Sequence, residues 1–129
     1  SYLDVHSSIT YSPKKFKLNS KKSSPLGLRC YQSKTKKSLE NYVENLIQNR
    51  KKYISNFRFE KEVIKTVKYG NRVILKYDVT YFGVKTTYLY VIFRHQETVY
   101  ELNFTCDNSL YKDYIDDALL IIDSFKIIQ

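Results

Sequence analysis

The chain is poor in the residues that mark special architectures. Its 129 residues include 3 Gly, 2 Pro and 2 Cys, with no Met and no Trp. So little Gly and Pro excludes collagen-like and low-complexity proteins, and two cysteines are too few for the disulfide framework of a small secreted domain. The longest uninterrupted aliphatic run, Ala118 to Ile122, is far shorter than the roughly 20 residues that span a bilayer. We therefore expect no transmembrane segment.

The sequence leaves two questions open, which are whether the two cysteines are paired and whether the chain is a mature or trimmed form. Cys30 and Cys106 could form a disulfide that closes a loop of about 75 residues, which would stabilise the fold by about 4 kcal/mol in the chain-entropy model. We favour two free, buried thiols instead, because Cys is among the most buried residue types. Since position 1 is Ser, we expect a mature or trimmed form, in which an upstream signal peptide or lipid-bearing Cys would not be seen.

The overall composition is that of a folded domain. Hydrophobic residues make up 43% of the chain, which includes 13 Tyr and 7 Phe. This excludes a disordered basic tail, because such tails bury too little apolar surface to fold. A length of 129 residues predicts one domain spanning 1–129.

Positive charge is concentrated in the first third of the chain. The 22 basic and 13 acidic residues give a net charge of +9. Residues 1–37 hold nine of the basic residues and one acid, Asp4, so that they carry +8 of this charge. We predict an irregular basic segment near 12–25. The candidate residues for binding an anionic partner are Lys14, Lys15, Lys17, Lys21, Lys22, Lys34, Lys36 and Lys37.

These lysines could contact an acidic protein, a phosphate-rich polymer or an anionic bilayer surface. Lys rather than Arg dominates, which favours diffuse attraction over bidentate recognition. Near an anionic membrane each Lys contributes about 1 kcal/mol. The alternative is a solvated surface that has no partner.

Two segments have the periodicity of helices. Ser38 can cap a helix whose apolar residues recur at helical spacing from Leu39 to Ile54. Glu40 comes early and Lys52 late, the order that the helix dipole favours. A second amphipathic pattern follows Asp107. We expect helices near 38–53 and 109–125.

Residues 57–106 alternate between polar and apolar residues in four runs, which predicts a four-strand meander. The short turns between the runs require antiparallel neighbours. Residues 88–93 are apolar on both faces, as expected for a central strand that is covered on both sides. Two shorter extended segments precede the first helix. We therefore predict an α+β fold with an antiparallel sheet of about five or six strands between the two helices.

The last third of the chain resembles the PsbP-like superfamily. Val99-Tyr100-Glu101-Leu102-Asn103-Phe104-Thr105, a helix, and Asp123-Ser124-Phe125-Lys126-Ile127 are similar to the close of that family. There, a strand of the type vYxLxyta precedes a helix ending in SFki. Ile9 to Pro13 resembles the family's opening strand, which runs into a proline. The Gly-Trp pair that usually follows is replaced by Lys14-Lys15-Phe16.

The superfamily includes the PsbP subunit of photosystem II, DcrB-like bacterial lipoproteins and a Ran-binding nuclear transport factor. The resemblance implies an α/β/α sandwich, but its members do unrelated jobs. We expect a non-enzymatic accessory or binding protein. The bacterial relatives imply an extracytoplasmic location, membrane-anchored or secreted, and the alternative is a cytoplasmic one.

Nucleic-acid binding is one alternative function. Aromatic side chains on a sheet can stack bases, but most tyrosines of the meander lie in phase with Val, Leu or Phe. We expect them to face helices instead. These tyrosines are Tyr69, Tyr77, Tyr81, Tyr88, Tyr90 and Tyr100.

Enzymatic activity is the other alternative. It would need a pocket around His95 or around the acidic helix face of Asp113, Asp116 and Asp117. Neither His6 nor His95 has a Cys, Asp or Glu at metal-ligand spacing, and no phosphate loop or nucleophile motif occurs. We therefore expect no catalytic residue, metal or cofactor.

Overall fold

A six-stranded antiparallel sheet forms the body of the fold, as seen in a computed structural model that describes residues 9–11, 26–66 and 68–127. Its spatial order is β1-β2-β6-β5-β4-β3. The strands are β1 Ile9–Tyr11, β2 Leu26–Lys34, β3 Phe59–Thr66, β4 Gly70–Tyr81, β5 Val84–His95 and β6 Thr98–Asp107. The predicted meander is thus confirmed as β3 to β6, and the fold is α+β with an open sheet.

The first helix is the element that the sequence marks best. Helix α1 spans Leu39–Tyr53, within one residue of the predicted 38–53. The Ser38 hydroxyl accepts a hydrogen bond from the Asn41 amide at 3.1 Å, which satisfies one of the free N–H groups of the first turn. Basic residues fill the last turn, where they meet the negative end of the helix dipole.

The last helix is shorter than predicted at both ends. Helix α2 spans Tyr111–Asp123, and a 3-10 turn at Asn108–Leu110 precedes it. The Asp107 carboxylate accepts from the Ser109 amide at 3.0 Å and thereby starts this tighter turn. At the other end the Phe125 amide bonds to the Ile122 carbonyl at 3.0 Å, so that the chain leaves the helix after Asp123.

Two apolar clusters hold the helices to the sheet. Val43 and Ile47 of α1 pack in one cluster, which includes Tyr90 and Ile92 of β5. The second cluster takes the alternate β5 residues and the buried residues of α2. Its members from these two elements and the segment after α2 are Leu89, Val91, Phe93, Ala118, Ile121, Ile122 and Phe125. The buried run Leu89–Phe93 lies in the interior of the sheet, between β4 and β6.

The alternative of a disulfide between Cys30 and Cys106 is wrong, because both thiols are free and buried. The two cysteines lie on neighbouring strands, but Cys30 is opposite Leu102 and Cys106 is opposite Leu26. An offset of four residues separates them by about 13 Å along the strands, well beyond the reach of an S–S bond.

Candidate functional site

Three of the predicted lysines lie at one end of β2. Lys34 is the last residue of that strand, and Lys36 and Lys37 follow it. All three are exposed. The Thr35 amide bonds to the Glu97 carbonyl at 2.8 Å, and Arg94 donates to the carbonyl oxygens of Thr35 and Lys37. These lysines are therefore presented from a well-anchored backbone beside the β5–β6 turn.

The other five candidates, Lys14, Lys15, Lys17, Lys21 and Lys22, lie outside the described residues. The residues that flank their segment lie at one end of the sheet. Tyr11 is opposite Leu28, and Leu26 is opposite Cys106, near the end of β6. The nine residues of β2 separate this end of the sheet from Lys34 by about 27 Å. The residues that flank the segment near 12–25 therefore lie at the opposite end of the sheet from Lys34, Lys36 and Lys37.

The β4–β5 turn lies at the end of the sheet where Tyr11 and Leu26 stand, and it exposes an aromatic tip. We define the hairpin tip as Tyr81–Val84. Phe82 is 97% exposed and Tyr81 70% exposed, and Val84 is exposed too. The rings of Tyr81 and Phe82 contact each other edge to face at 5.4 Å between centroids.

The backbone of the hairpin tip is unusual for its sequence. Phe82 has φ 50° and Gly83 has φ 76°, the two positive values of a type I′ turn. Asn, Asp or Gly normally occupies the first of these positions, because a left-handed conformation costs other residues about 1–2 kcal/mol. Phe82 thus occupies a strained position without contributing buried area.

The hairpin tip also extends beyond its neighbours. The pairing of β3 with β4 stops at Phe59 opposite Tyr77, and that of β6 with β5 stops at Asp107 opposite Thr86. The four last residues of β4 consequently lack a β3 partner. Relative to the other described strands, the tip is a two-stranded projection.

Replacing Phe82 with asparagine is expected to stabilise the fold. Asn-Gly is the preferred pair for this turn, so the free energy of unfolding should rise by about 0.5–1 kcal/mol. Urea unfolding measures the change. Tyr81→Asn serves as the control, since Tyr81 is also exposed but lies in β4, where Asn is disfavoured. A loss of stability in Phe82→Asn would contradict the strain at this position.

Of the six tyrosines that could have stacked bases, three are buried, whereas Tyr81 is 70% exposed at the hairpin tip, so the expectation that it faces a helix is wrong. Tyr77, Tyr90 and Tyr100 are each less than a tenth exposed. The hydroxyls of Tyr77 and Tyr90 are 2.8 Å apart, and Arg50 Nε of α1 donates to Tyr77 Oη at 3.2 Å. Burial, followed by the Tyr90 hydrogen bond, raises the pKa of Tyr77. The Tyr77 and Tyr90 side chains anchor α1 to the sheet, and the Tyr100 ring packs against Phe125 at 5.7 Å between centroids.

A buried carboxylate beside α1 could not be recognised from the sequence. Glu101 of β6 is 9% exposed, and the Tyr42 hydroxyl of α1 donates to its carboxylate. Burial, and after it the Glu101 hydrogen bond, raises the pKa of Tyr42 to about 12. The Asn103 side-chain oxygen, on the same strand, is buried without a hydrogen-bond partner. In sequence, Glu101 and Asn103 alternate with the apolar residues of β6, as solvent-facing residues do.

The described residues that were considered for catalysis or metal binding make separate contacts. His95 packs its ring against Tyr69 at 5.5 Å between centroids. On the acidic helix face, Asp113 and Asp116 are exposed and Asp117 is half-buried, and Asp123 at the end of α2 forms an ion pair with Arg72 at 3.2 Å. Within the described ranges, no group of three or more His, Cys, Asp or Glu could hold a metal ion. His6 lies outside these ranges.

Neither α1 nor α2, nor any other helix in the described part of the chain, is long and apolar enough to cross a bilayer. Comparison with family models and with curated proteins gives no match. The fold is similar to a solved structure of PA94 from Pseudomonas aeruginosa, a protein of unknown function described as a proposed regulator. The TM-score is 0.66 at 11% identity, over 95% of this chain and 99% of that one. At this identity the likeness concerns the fold alone.

Proposed function

We propose that this chain is a non-enzymatic accessory protein of PsbP-like type that attaches to an anionic membrane surface through the basic segment near 12–25, here called the lysine-rich segment. The observation that carries the proposal is the separation of charge: residues 1–37 hold +8 of the net +9, and the rest of the chain is nearly neutral. Diffuse attraction by lysines suits a lipid surface, which offers many equivalent anionic groups and no fixed geometry.

The placement of the other basic residues supports the same surface. Lys51, Lys52 and Arg58 are exposed where α1 ends and β3 begins. Lys51 Nζ lies 6.0 Å from the Phe59 ring centroid, and Phe59 is opposite Tyr77, toward the hairpin tip. Tyr11 and Leu26, which flank the lysine-rich segment, stand at this end as well. Positive charge from three parts of the chain can thus face one membrane.

The PsbP-like part of the proposal includes an α/β/α sandwich and an extracytoplasmic location. Its support is the alternation along β5: Tyr90 and Ile92 pack with α1, whereas Leu89, Val91 and Phe93 pack with α2. Successive strand residues point to opposite faces of a sheet. The residues that resemble the family form β6 and the segment after α2. The location is proposed by analogy with the DcrB-like lipoproteins.

Two variants that remove equal charge test the role of the lysines. Changing Lys14, Lys15 and Lys17 to Gln should weaken binding to vesicles of mixed phosphatidylglycerol and phosphatidylcholine by about a hundredfold, since each Lys near the surface contributes about 1 kcal/mol. Changing Lys34, Lys36 and Lys37 to Gln should weaken it less, because β2 places them at the other end of the sheet. Co-sedimentation measures both variants.

The thermal unfolding midpoint should be nearly the same for both variants, because exposed charges contribute little to stability. If the Lys14, Lys15 and Lys17 variant binds as well as the unaltered chain, the lysine-rich segment is not the attachment site. Equal losses in the two variants would show that net charge matters and position does not.

A further inference from the structure

We propose that the hairpin tip, Tyr81–Val84, inserts its aromatic side chains into the boundary between headgroups and acyl chains of an anionic bilayer. The inference rests on the proposed function and adds a second, apolar mode of contact to the electrostatic one. The lysines would bring the protein to the surface, and the hairpin tip would hold it there.

The first argument is that the fold gains little from Phe82. Its side chain is 97% exposed and contacts the equally peripheral Tyr81 ring, and its positive φ disfavours a bulky residue. Strain at an exposed position is a reason to look for a function outside the folded chain. A large apolar side chain at such a position is explained by contact with an apolar phase.

The second argument is the chemistry of the neighbours. Tyr81 and Val84 flank Phe82, so that the projection carries two aromatic rings and one aliphatic side chain. Aromatic side chains with a polar end are enriched at the membrane interface, where the ring is buried and the hydroxyl stays hydrated. Lys85, the residue that follows the tip, is half exposed, and its Nζ lies 3.6 Å from the Asp78 carboxylate.

The third argument concerns shape and charge, and it favours a bilayer over a protein partner. A narrow convex tip needs a complementary pocket in a protein, whereas a fluid bilayer accepts it without one. The net charge of +9 complements anionic headgroups. The exposed Lys51, Lys52 and Arg58 lie toward this end of the sheet and not at the far end of α2.

The absence of tryptophan from the chain provides a clean probe. Phe82→Trp places a single indole at the tip, and Leu120→Trp places one on α2, where Leu120 is 67% exposed. Leu120 lies in the last turn of α2, near Asp123. Asp123 pairs with Arg72, and Arg72 is at the opposite end of β4 from Tyr81. The two variants therefore report on opposite ends of the molecule.

Vesicles of equal parts phosphatidylglycerol and phosphatidylcholine should shift the emission of Phe82→Trp to the blue, and acyl-chain-brominated lipid should quench it. The emission of Leu120→Trp should stay unchanged while that variant sediments with the same vesicles. Phe82→Asn introduces a residue that suits the turn. At high salt, where the electrostatic contribution is screened, this variant should bind the vesicles about tenfold more weakly than the unaltered chain does.

The outcomes separate the two proposals. If Phe82→Trp sediments with the vesicles but its emission is neither shifted nor quenched, insertion of the hairpin tip is wrong and electrostatic attachment stands. If Phe82→Trp and Leu120→Trp respond alike, the tip is not a specific contact. If neither variant nor the unaltered chain sediments with these vesicles, both proposals are wrong.

Discussion

Replacing Phe125 with alanine should lower the free energy of unfolding by about 3–5 kcal/mol, the usual loss for a large aromatic side chain removed from a core. Phe125 is 3% exposed, and its ring contacts Phe93 at 5.3 Å and Tyr100 at 5.7 Å between centroids. Alanine would leave a cavity that the rigid central strands cannot fill. Since small proteins are stable by about 5–15 kcal/mol, this loss would remove a large fraction of the total.

Hydrogen bonds that the substitution leaves in place hold the same segment. Lys68 Nζ donates to the Phe125 carbonyl at 2.9 Å, and the Ile127 amide donates to Tyr69 Oη at 3.1 Å. The segment after α2 thereby fastens the helix to the β3–β4 turn. Urea unfolding of Phe125→Ala measures the effect. Leu120→Ala on the exposed side of α2 is the control and should change the value by less than about 0.5 kcal/mol. Equal effects in the two variants would contradict the packing of Phe125.

The two thiols should be almost inert toward Ellman's reagent in the folded protein. Burial, followed by Glu101, raises the pKa of Cys30 to about 12, and burial, followed by Asp107, raises the pKa of Cys106 to about 12. Only the thiolate reacts, so at about pH 8 the reactive fraction of each Cys falls about a thousandfold relative to an exposed thiol. Burial blocks the reagent as well.

The measurement is the reaction rate in buffer and in guanidinium chloride. In denaturant both cysteines should react fully, and in buffer the rate should fall by about a thousandfold or more. Rapid labelling of the folded chain would show that β2 and β6 do not bury these residues. Failure to release two thiols in denaturant without a reductant would indicate a disulfide.

The same pKa shifts predict alkaline destabilisation. Below about pH 9, Cys30 and Cys106 are protonated in both the folded and the unfolded chain, so the stability that burial provides is fully present. Above that pH the unfolded chain releases these protons first. The free energy of unfolding should therefore fall as the pH rises toward the folded pKa of about 12. Urea unfolding at a series of alkaline pH values measures the slope.

The elements of the fold that local chemistry specifies were predictable. Ser38 with its cap hydrogen bond starts α1 almost where the pattern placed it, and the short turns of the meander led to antiparallel strands. Prediction from sequence was weaker for the burial of individual side chains, because burial depends on residues that are distant in the chain. Val63 alternates in phase with Phe59, yet it is 57% exposed, because β3 is the last strand of the sheet.

The candidate site shows the same division. Eight lysines were predicted as one cluster because they are close in sequence, but β2 carries Lys34 away from the residues that flank the segment near 12–25. A short turn between the second and third runs of the meander was expected, whereas the exposure of Phe82 in that turn follows from where β3 and β6 stop pairing. The Glu101–Tyr42 contact depends on α1 covering β6, which no local pattern encodes.

Attachment to an anionic bilayer is tested most directly by co-sedimentation of the unaltered chain with two kinds of vesicle. One kind contains equal parts phosphatidylglycerol and phosphatidylcholine, and the other contains phosphatidylcholine alone, both at about 0.1 M salt, where exposed charges act over about 10 Å. We predict that the chain sediments with the anionic vesicles, that it stays in solution with the neutral ones, and that higher salt weakens but does not abolish binding. Equal sedimentation with both kinds of vesicle, or with neither, would contradict the proposal.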